Sequence, residues 1–474
     1  MNYSARISEP LLITAFSIAA LLAGGASALL PWFLTLAIAF IPIFALFAGA
    51  FPHHAIAVAI FLAFGAVPSF MLPQIPFAGG TIRASELFLA LITGISAFKV
   101  LANPERVKQL QSPFTPGLLL ILGLTTLSLT LAATALGNQP KYYLYELRSL
   151  LFWLVLPLIL LSIDTREKAK TFAIVLAAMG FVLAAGVIIQ FVTGMKILEA
   201  SRVEKLVTTG SIYSDVTRST AGGGIYFILF LINVTFVLWI KRVMKWYFAT
   251  PIIAFGAMAV IATFGRGVWA AEACAILLIL FLADRGERVK TLAAIASIAL
   301  VGMTVMYITA PHVANATFDR LTSVGNEIED GDSYQWRKDE NRYAQQAILS
   351  NPIVGVGLGG EYQPFRNRNM GEDHTRAIHS SYYGLMLKLG VAGLIIPALM
   401  GAIGLATWRR IEKSQAPVWL KATSLATMAT VFTAYITSFT QPEWMHHTGV
   451  AFFATSFALL AVSDRLRNVP TREE

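Results

Sequence analysis

Charge and cysteine are what this sequence has least of. Only 13% of its 474 residues are charged while 56% are hydrophobic, and a mean hydropathy of +0.65 excludes an ordinary soluble globular domain. The single cysteine, Cys274, excludes an intramolecular disulfide and, lying inside an apolar run, carries no redox information. His374, His446 and His447 share no spacing that a zinc site uses, so metal binding by histidine is rejected. There is no internal repeat, which argues against an inverted-repeat transporter, and no low-complexity tract.

What is present is a succession of long apolar runs. They fall near 11–30, 32–51, 55–72, 84–101, 114–136, 149–163, 171–192, 224–240, 247–264, 267–283, 291–309, 381–406, 417–439 and 448–463. A lipid-exposed backbone must satisfy its hydrogen bonds internally, so these are helices. The expected fold class is an all-α integral membrane protein, a multi-pass bundle of 12–14 spans. The run after MNYSARISEP is too long for a simple signal peptide and reads as a retained first helix.

The net charge of +9 comes from Lys and Arg spread over short connections, which marks topology rather than nucleic-acid binding. NPERVKQLQ, DTREKAK, KRVMK, DRGERVK, WRRIEK and the tail DRLRNVPTREE all fall on one side of the threading. The positive-inside rule makes that side cytoplasmic, with both termini there, in a bacterial inner membrane. Three longer polar connections then face outward: a strand-like stretch near 73–86, the segment 193–224, and a large loop from Pro311 to Ser380. The chain divides into N-terminal spans (1–192), central spans with external arginine-bearing segments (193–309), a large external loop (310–380), and C-terminal spans with a tail (381–474). Within the large loop, GDSYQWRKDENRYAQQAILSNP predicts a helix begun by Asp332 or Ser333 and stopped by Asn351-Pro352, and GVGLGG predicts a flexible turn.

Positive residues on the external side are not explained by topology. Arg266, in the tight turn TFGRGVWAAE, has a costly position unless it meets an anion, and its flanking glycines admit a ligand to the backbone. Arg218, in SDVTRSTAGGG, precedes a helix whose free N–H groups suit a phosphate oxygen. Two such guanidinium groups across a cleft would grip a diphosphate. His379 stands where the large loop enters the membrane and has the chemistry of a general base. Glu272, expected to be a buried partner for an arginine, Arg148 beside Glu146, and Ser380 are supporting candidates. The Asp330/Asp332 pair is weak as a metal motif, and no nucleophile elbow surrounds Ser380.

The segments TFGRGVWAAEACAILLILFL, QWRKDENRYAQQAILSNPIVGVGLGGEYQPF and HSSYYGLMLKLGVAGLI, taken in order, resemble the O-antigen ligase and O-antigen polymerase superfamily, most clearly from about Thr217 to Ala406. The resemblance implies a GT-C-like membrane glycosyltransferase with a periplasmic active site and no cofactor. Its donor would be a glycan on undecaprenyl diphosphate and its acceptor a glycan or lipid A core, with other polysaccharide-assembly proteins as partners. Arg218 and Arg266 match the family's diphosphate-binding arginines, and His379 matches its histidine. The chain departs from the pattern in having His379-Ser380 where members commonly have His-Asn, and in lacking Asn-Pro-Asn after Arg218. A ligase, a polymerase and a flippase or exporter are the three readings, in that order.

Overall fold

The structure is a computed structural model that describes residues 42–67, 75–77, 80–208, 211–282, 285–323, 332–364 and 375–469. The span expected near 11–30, the first half of that near 32–51, and the residues Asp330 and His374 lie outside the described residues.

Helices dominate because long apolar runs have no other way to satisfy their backbone in lipid. In chain order they begin with α1 (Pro52–Ala63), α2 (Ala84–Ala102), α3 (Thr115–Thr134), α4 (Pro140–Leu150), α5 (Val155–Ser162), α6 (Arg166–Thr193), α7 (Ile225–Ile240) and α8 (Trp246–Ala262). They continue with α9 (Arg266–Leu282), α10 (Arg285–Thr309), α11 (Pro311–Thr322), α12 (Asp332–Ser350), α13 (Ser381–Leu389), α14 (Ile395–Lys413), α15 (Val418–Thr437) and α16 (His447–Leu466). Seven stretches among the described residues are long and apolar enough to cross a membrane: α2, α3, the continuous run Pro140–Ser162, α6, Gly222–Ile240, Val391–Lys413 and α16. The chain is therefore an all-α membrane protein. One contiguous apolar core runs through it, centred on α7 and α16, whose residues are almost all buried.

Two antiparallel hairpins interrupt the helical pattern. β1 (Ile75–Phe77) pairs with β2 (Gly80–Ile82), in agreement with the strand-like reading of that connection. β3 (Val203–Thr208) and β4 (Ser211–Ser219) form a second hairpin that hydropathy did not reveal, with an irregularity at Lys205/Leu206. Its base is fastened by Gln190, a wholly buried residue of α6. The Gln190 Nε2–H donates to Ser219 Oγ (2.9 Å), and its Oε1 accepts from the N–H groups of Ile197 (2.8 Å) and Leu198 (2.6 Å).

The charged connections gather at one end of the bundle. There Arg465 donates to the Gln109 and Leu160 carbonyls (both 3.1 Å), and Arg166 donates to those of Leu466 and Arg467 (both 3.2 Å). Lys241 pairs with Glu412 (2.8 Å) and Arg410 with Asp464 (2.9 Å). Both hairpins, α11, α12 and the junction before α13 are at the opposite end.

Two expectations need correction. The run 381–406 is not one span: α13 stops at Gly390, whose φ of +72° no ordinary side chain adopts readily, and a 3₁₀ turn (Val391–Leu394) precedes α14. Backbone groups freed by the break are answered by the large loop, through Val391 N–H to Pro352 O (2.9 Å) and Val356 N–H to Leu387 O (2.7 Å). Nor is GVGLGG a flexible turn. Asn138 Nδ2 donates to the Val356 and Leu358 carbonyls (2.9 and 2.8 Å), and Leu358 N–H donates to Ser128 Oγ (3.1 Å). Gly359 N–H donates to Glu146 Oε2 (2.7 Å).

Candidate functional site

His379 occupies the junction that the sequence indicates, immediately before α13. Its Nδ1 lies 2.9 and 3.0 Å from the two oxygens of Glu340, on α12, and its backbone N–H reaches the same carboxylate (3.4 Å). The Glu340 carboxylate also accepts from Trp336 Nε1–H (2.8 Å), one helical turn away. Burial alone would raise the Glu340 carboxyl, but the hydrogen bonds and charge of His379, with the Trp336 bond, outweigh it and hold the group below its usual range. Glu340 is sealed, with 2% of its side chain accessible, whereas 44% of the His379 side chain is open. Nδ1 is thus committed to an anion and Nε2, which has no partner among the described residues, is presented outward. That is the arrangement of an oriented base.

The sequence reading did not single out Glu340, although a signal existed. Ala344 and Ile348 form the buried face of α12, packed on Ile378 and Leu387, and Glu340 continues that face one turn earlier. A carboxylate on an apolar stripe needs a partner.

The arginines converge on the turn between α8 and α9. Arg218 is placed by the register of the second hairpin, which sets it directly across from Glu204. The two side chains pair at 3.1 Å, and Arg218 Nε–H donates to Thr263 O (3.0 Å). Burial chiefly pulls the Arg218 guanidinium below its ordinary range; Glu204 opposes this, and the positive charges of Arg202 and Arg337 add to it. Arg266 opens α9 and donates to Ser323 Oγ at the end of α11 (3.3 Å). Arg320, on α11, donates to Phe264 O in the same turn (3.3 Å). Phe264 has φ +47°, uncommon for an aromatic residue, and is wholly buried against Val216 and Val313, so hairpin, turn and α11 share a small core.

Arg320 is a further member of this cluster that sequence reading missed, because nothing local marks a helix that folds back onto a distant turn. Room beside Arg266 is real: a Cβ on Gly267 would come no nearer than 3.8 Å to Thr440 Oγ1. The glycine run after Arg218 serves packing instead. A Cβ on Gly222 would strike the Ala200 carbonyl (2.6 Å), and one on Gly223 would strike Thr448.

The supporting candidates have other duties. Glu272 takes the Thr433 hydroxyl on Oε2 (3.0 Å) and has no arginine partner among the described residues. Arg148 and Glu146 do not pair with each other. Arg148 bridges to Glu86 (2.5 Å) at the first hairpin, while Glu146 accepts from the buried Lys388 (2.7 Å). Ser380 is the N-cap residue of α13 without a side-chain cap bond; Ser381 next to it donates to Gln441 O (2.6 Å) and accepts from Trp444 N–H (3.1 Å). The connection from 438 to 446 is thereby fixed beside the His379 junction. Within it, burial pushes the Glu443 carboxyl up to about 7, opposed by a hydrogen bond from Tyr226, and burial followed by the charge of Arg83 pulls His446 down to about 4.

Residues 251–398, from α8 to the start of α14, match the family model described as O-antigen ligase. The match contains Arg266, Arg320, Arg337, Glu340 and His379, and leaves Arg218 outside. No curated protein matches the chain.

Proposed function

We propose a reaction for this chain from the premise that residues 251–398 match the O-antigen ligase family model, a match that supports a role in O-antigen or polysaccharide assembly. The reaction is an inverting transfer of a saccharide from an undecaprenyl-diphosphate carrier to an acceptor hydroxyl on the periplasmic face of a bacterial inner membrane. One observation carries this reading: His379 is oriented through Nδ1 by the sealed Glu340 carboxylate of α12, while three arginines from separate elements gather on the α8–α9 turn.

In this reading Arg218 and Arg266, joined by Arg320, hold the donor diphosphate. The acceptor O–H loses its proton to His379 Nε2 as its oxygen bonds to the anomeric carbon. The bond from that carbon to the diphosphate oxygen breaks, and its electron pair leaves with the diphosphate. Charge grows on the leaving group in the transition state, so guanidinium groups placed beforehand stabilise that state more than the ground state. Glu340 keeps the Nε2 lone pair outward and stabilises the imidazolium as it forms.

The test is product analysis with purified protein and undecaprenyl-diphosphate oligosaccharide, with and without lipid A core, beside His379→Ala. Product only when lipid A core is supplied, lost in the variant, is the expected outcome. A ladder of longer lipid-linked glycans without it would identify a polymerase, and silence with every acceptor would turn the reading toward a flippase or exporter.

A further inference from the structure

Glu272 lies six residues into α9, about 9 Å along the helix from Arg266, facing α7 and α15 in the interior of the bundle. Its residue exposure is 5% and that of its neighbour Asn233, on α7, is 0%. The carboxyl receives one hydrogen bond, from Thr433 Oγ1–H to Oε2, and Oε1 has no partner among the described residues. The Asn233 carboxamide lies within hydrogen-bonding range of the carboxyl, with Nδ2 on Thr430 Oγ1 (3.1 Å) and Oδ1 without a partner. The Thr430 hydroxyl is itself spent on Ala426 O (2.9 Å). The cluster thus holds two buried oxygens, Glu272 Oε1 and Asn233 Oδ1, that have no hydrogen-bond partner among the described residues.

Among the described residues no cation is paired with the Glu272 carboxyl. α15 carries Lys421 in its first turn and Tyr435 near its end; α7 carries Tyr226 and α8 carries Tyr247. α10 has its charges in the first turn, at Arg285, Glu287, Arg288 and Lys290, with Tyr307 near its far end. An unpaired charge buried among membrane helices costs several kcal/mol, whereas one hydrogen on Oε1 removes the charge and supplies the missing donor.

We propose that Glu272 is an intramembrane proton-binding site: the carboxyl holds a proton on Oε1, hydrogen-bonded to the Asn233 carboxamide, and this neutral pair joins α9 to α7 and α15. The choice of amide oxygen or nitrogen facing Glu272 follows from the proton, with the oxygen turned to accept it. The site is independent of the transfer reaction, and its test needs no substrate.

The experiment is infrared difference spectroscopy of the full chain in lipid nanodiscs, comparing wild type with Glu272→Gln at neutral pH. The expected result is a carbonyl band of a protonated, hydrogen-bonded carboxylic acid that disappears in Glu272→Gln and moves to higher frequency in Asn233→Ala. Proton loss at alkaline pH leaves a buried charge in the folded state, so the wild-type Tm falls as pH rises while that of Glu272→Gln does not. A spectrum in which the two proteins share the same protonated-carboxyl bands would overturn the proposal. So would a wild-type Tm raised by sodium ion and insensitive to it in Glu272→Gln, which would identify a metal cation in place of the proton.

Discussion

A histidine is a useful base only if one tautomer predominates, and here Glu340 decides which. With its carboxylate on Nδ1 the imidazole must hold a proton there, leaving Nε2 to receive one. Glu340→Gln keeps the size and the hydrogen bonding but offers an amide that can as well donate to Nδ1 as accept from it. The expected outcome is a fall in kcat of roughly a hundredfold or more, by the logic of the orienting acid in a catalytic triad, with KM for the lipid-linked donor nearly unchanged and Tm within a few degrees of wild type. A merely structural Glu340 would lower Tm and leave the kcat of the folded fraction intact. His379 was legible from sequence because it interrupts the boundary between a polar loop and an apolar run. Glu340 was harder to see: in Arg-Lys-Asp-Glu it reads as one charge among several, and in the sequence only its place one turn before the apolar stripe of Ala344 and Ile348 distinguishes it.

At the scale of elements, apolar runs were legible wherever length and composition agreed, as in α2, α3, α6, α7 and α16. The break at Gly390 was not, because hydropathy cannot distinguish a continuous helix from two halves whose freed backbone groups find partners in a distant loop. The GVGLGG segment shows the same limit. Its glycines read as flexibility, yet they permit close approach. A Cβ on Gly355, with φ +64°, would collide with the Leu387 carbonyl, and one on Gly359 with the Tyr143 N–H (2.5 Å). Gly355→Ala should therefore unseat the loop from α13, lower Tm by several degrees and reduce activity with it; an unchanged Tm would mean that the loop is loose in solution.

The connection between α15 and α16 makes a pH-dependent contribution of definite sign. Its Glu443 carboxyl is raised from 4.5 to about 7 by burial, so the folded state retains a proton that the unfolded chain has already lost. Stability fully present below the ordinary carboxylate range is lost as pH rises through about 7, on the order of 3 kcal/mol for a shift of this size. Melting curves of wild type and Glu443→Gln should diverge across that interval and run parallel above it. Parallel curves throughout would place an ionised carboxylate in the turn.

For the whole molecule, the two ends of the bundle are chemically unlike. At one, arginines are absorbed by backbone carbonyls and carboxylates, as with Arg465 on Gln109 and Leu160 and Arg410 on Asp464. At the other, arginines from β4, α9 and α11 crowd one turn, and an open histidine stands before α13. The first is what positive residues do when they only set topology; the second has a cost that an anionic ligand would offset. If that division is correct, the end bearing α12 faces the periplasm. In a Cys274→Ser background, a cysteine at Leu349, 74% exposed at the end of α12, should react with a membrane-impermeant maleimide in intact cells, and one at Val469, 45% exposed after α16, only after permeabilisation. The reverse pattern would put His379 and the arginines in the cytoplasm, where a periplasmic transfer reaction could not take place.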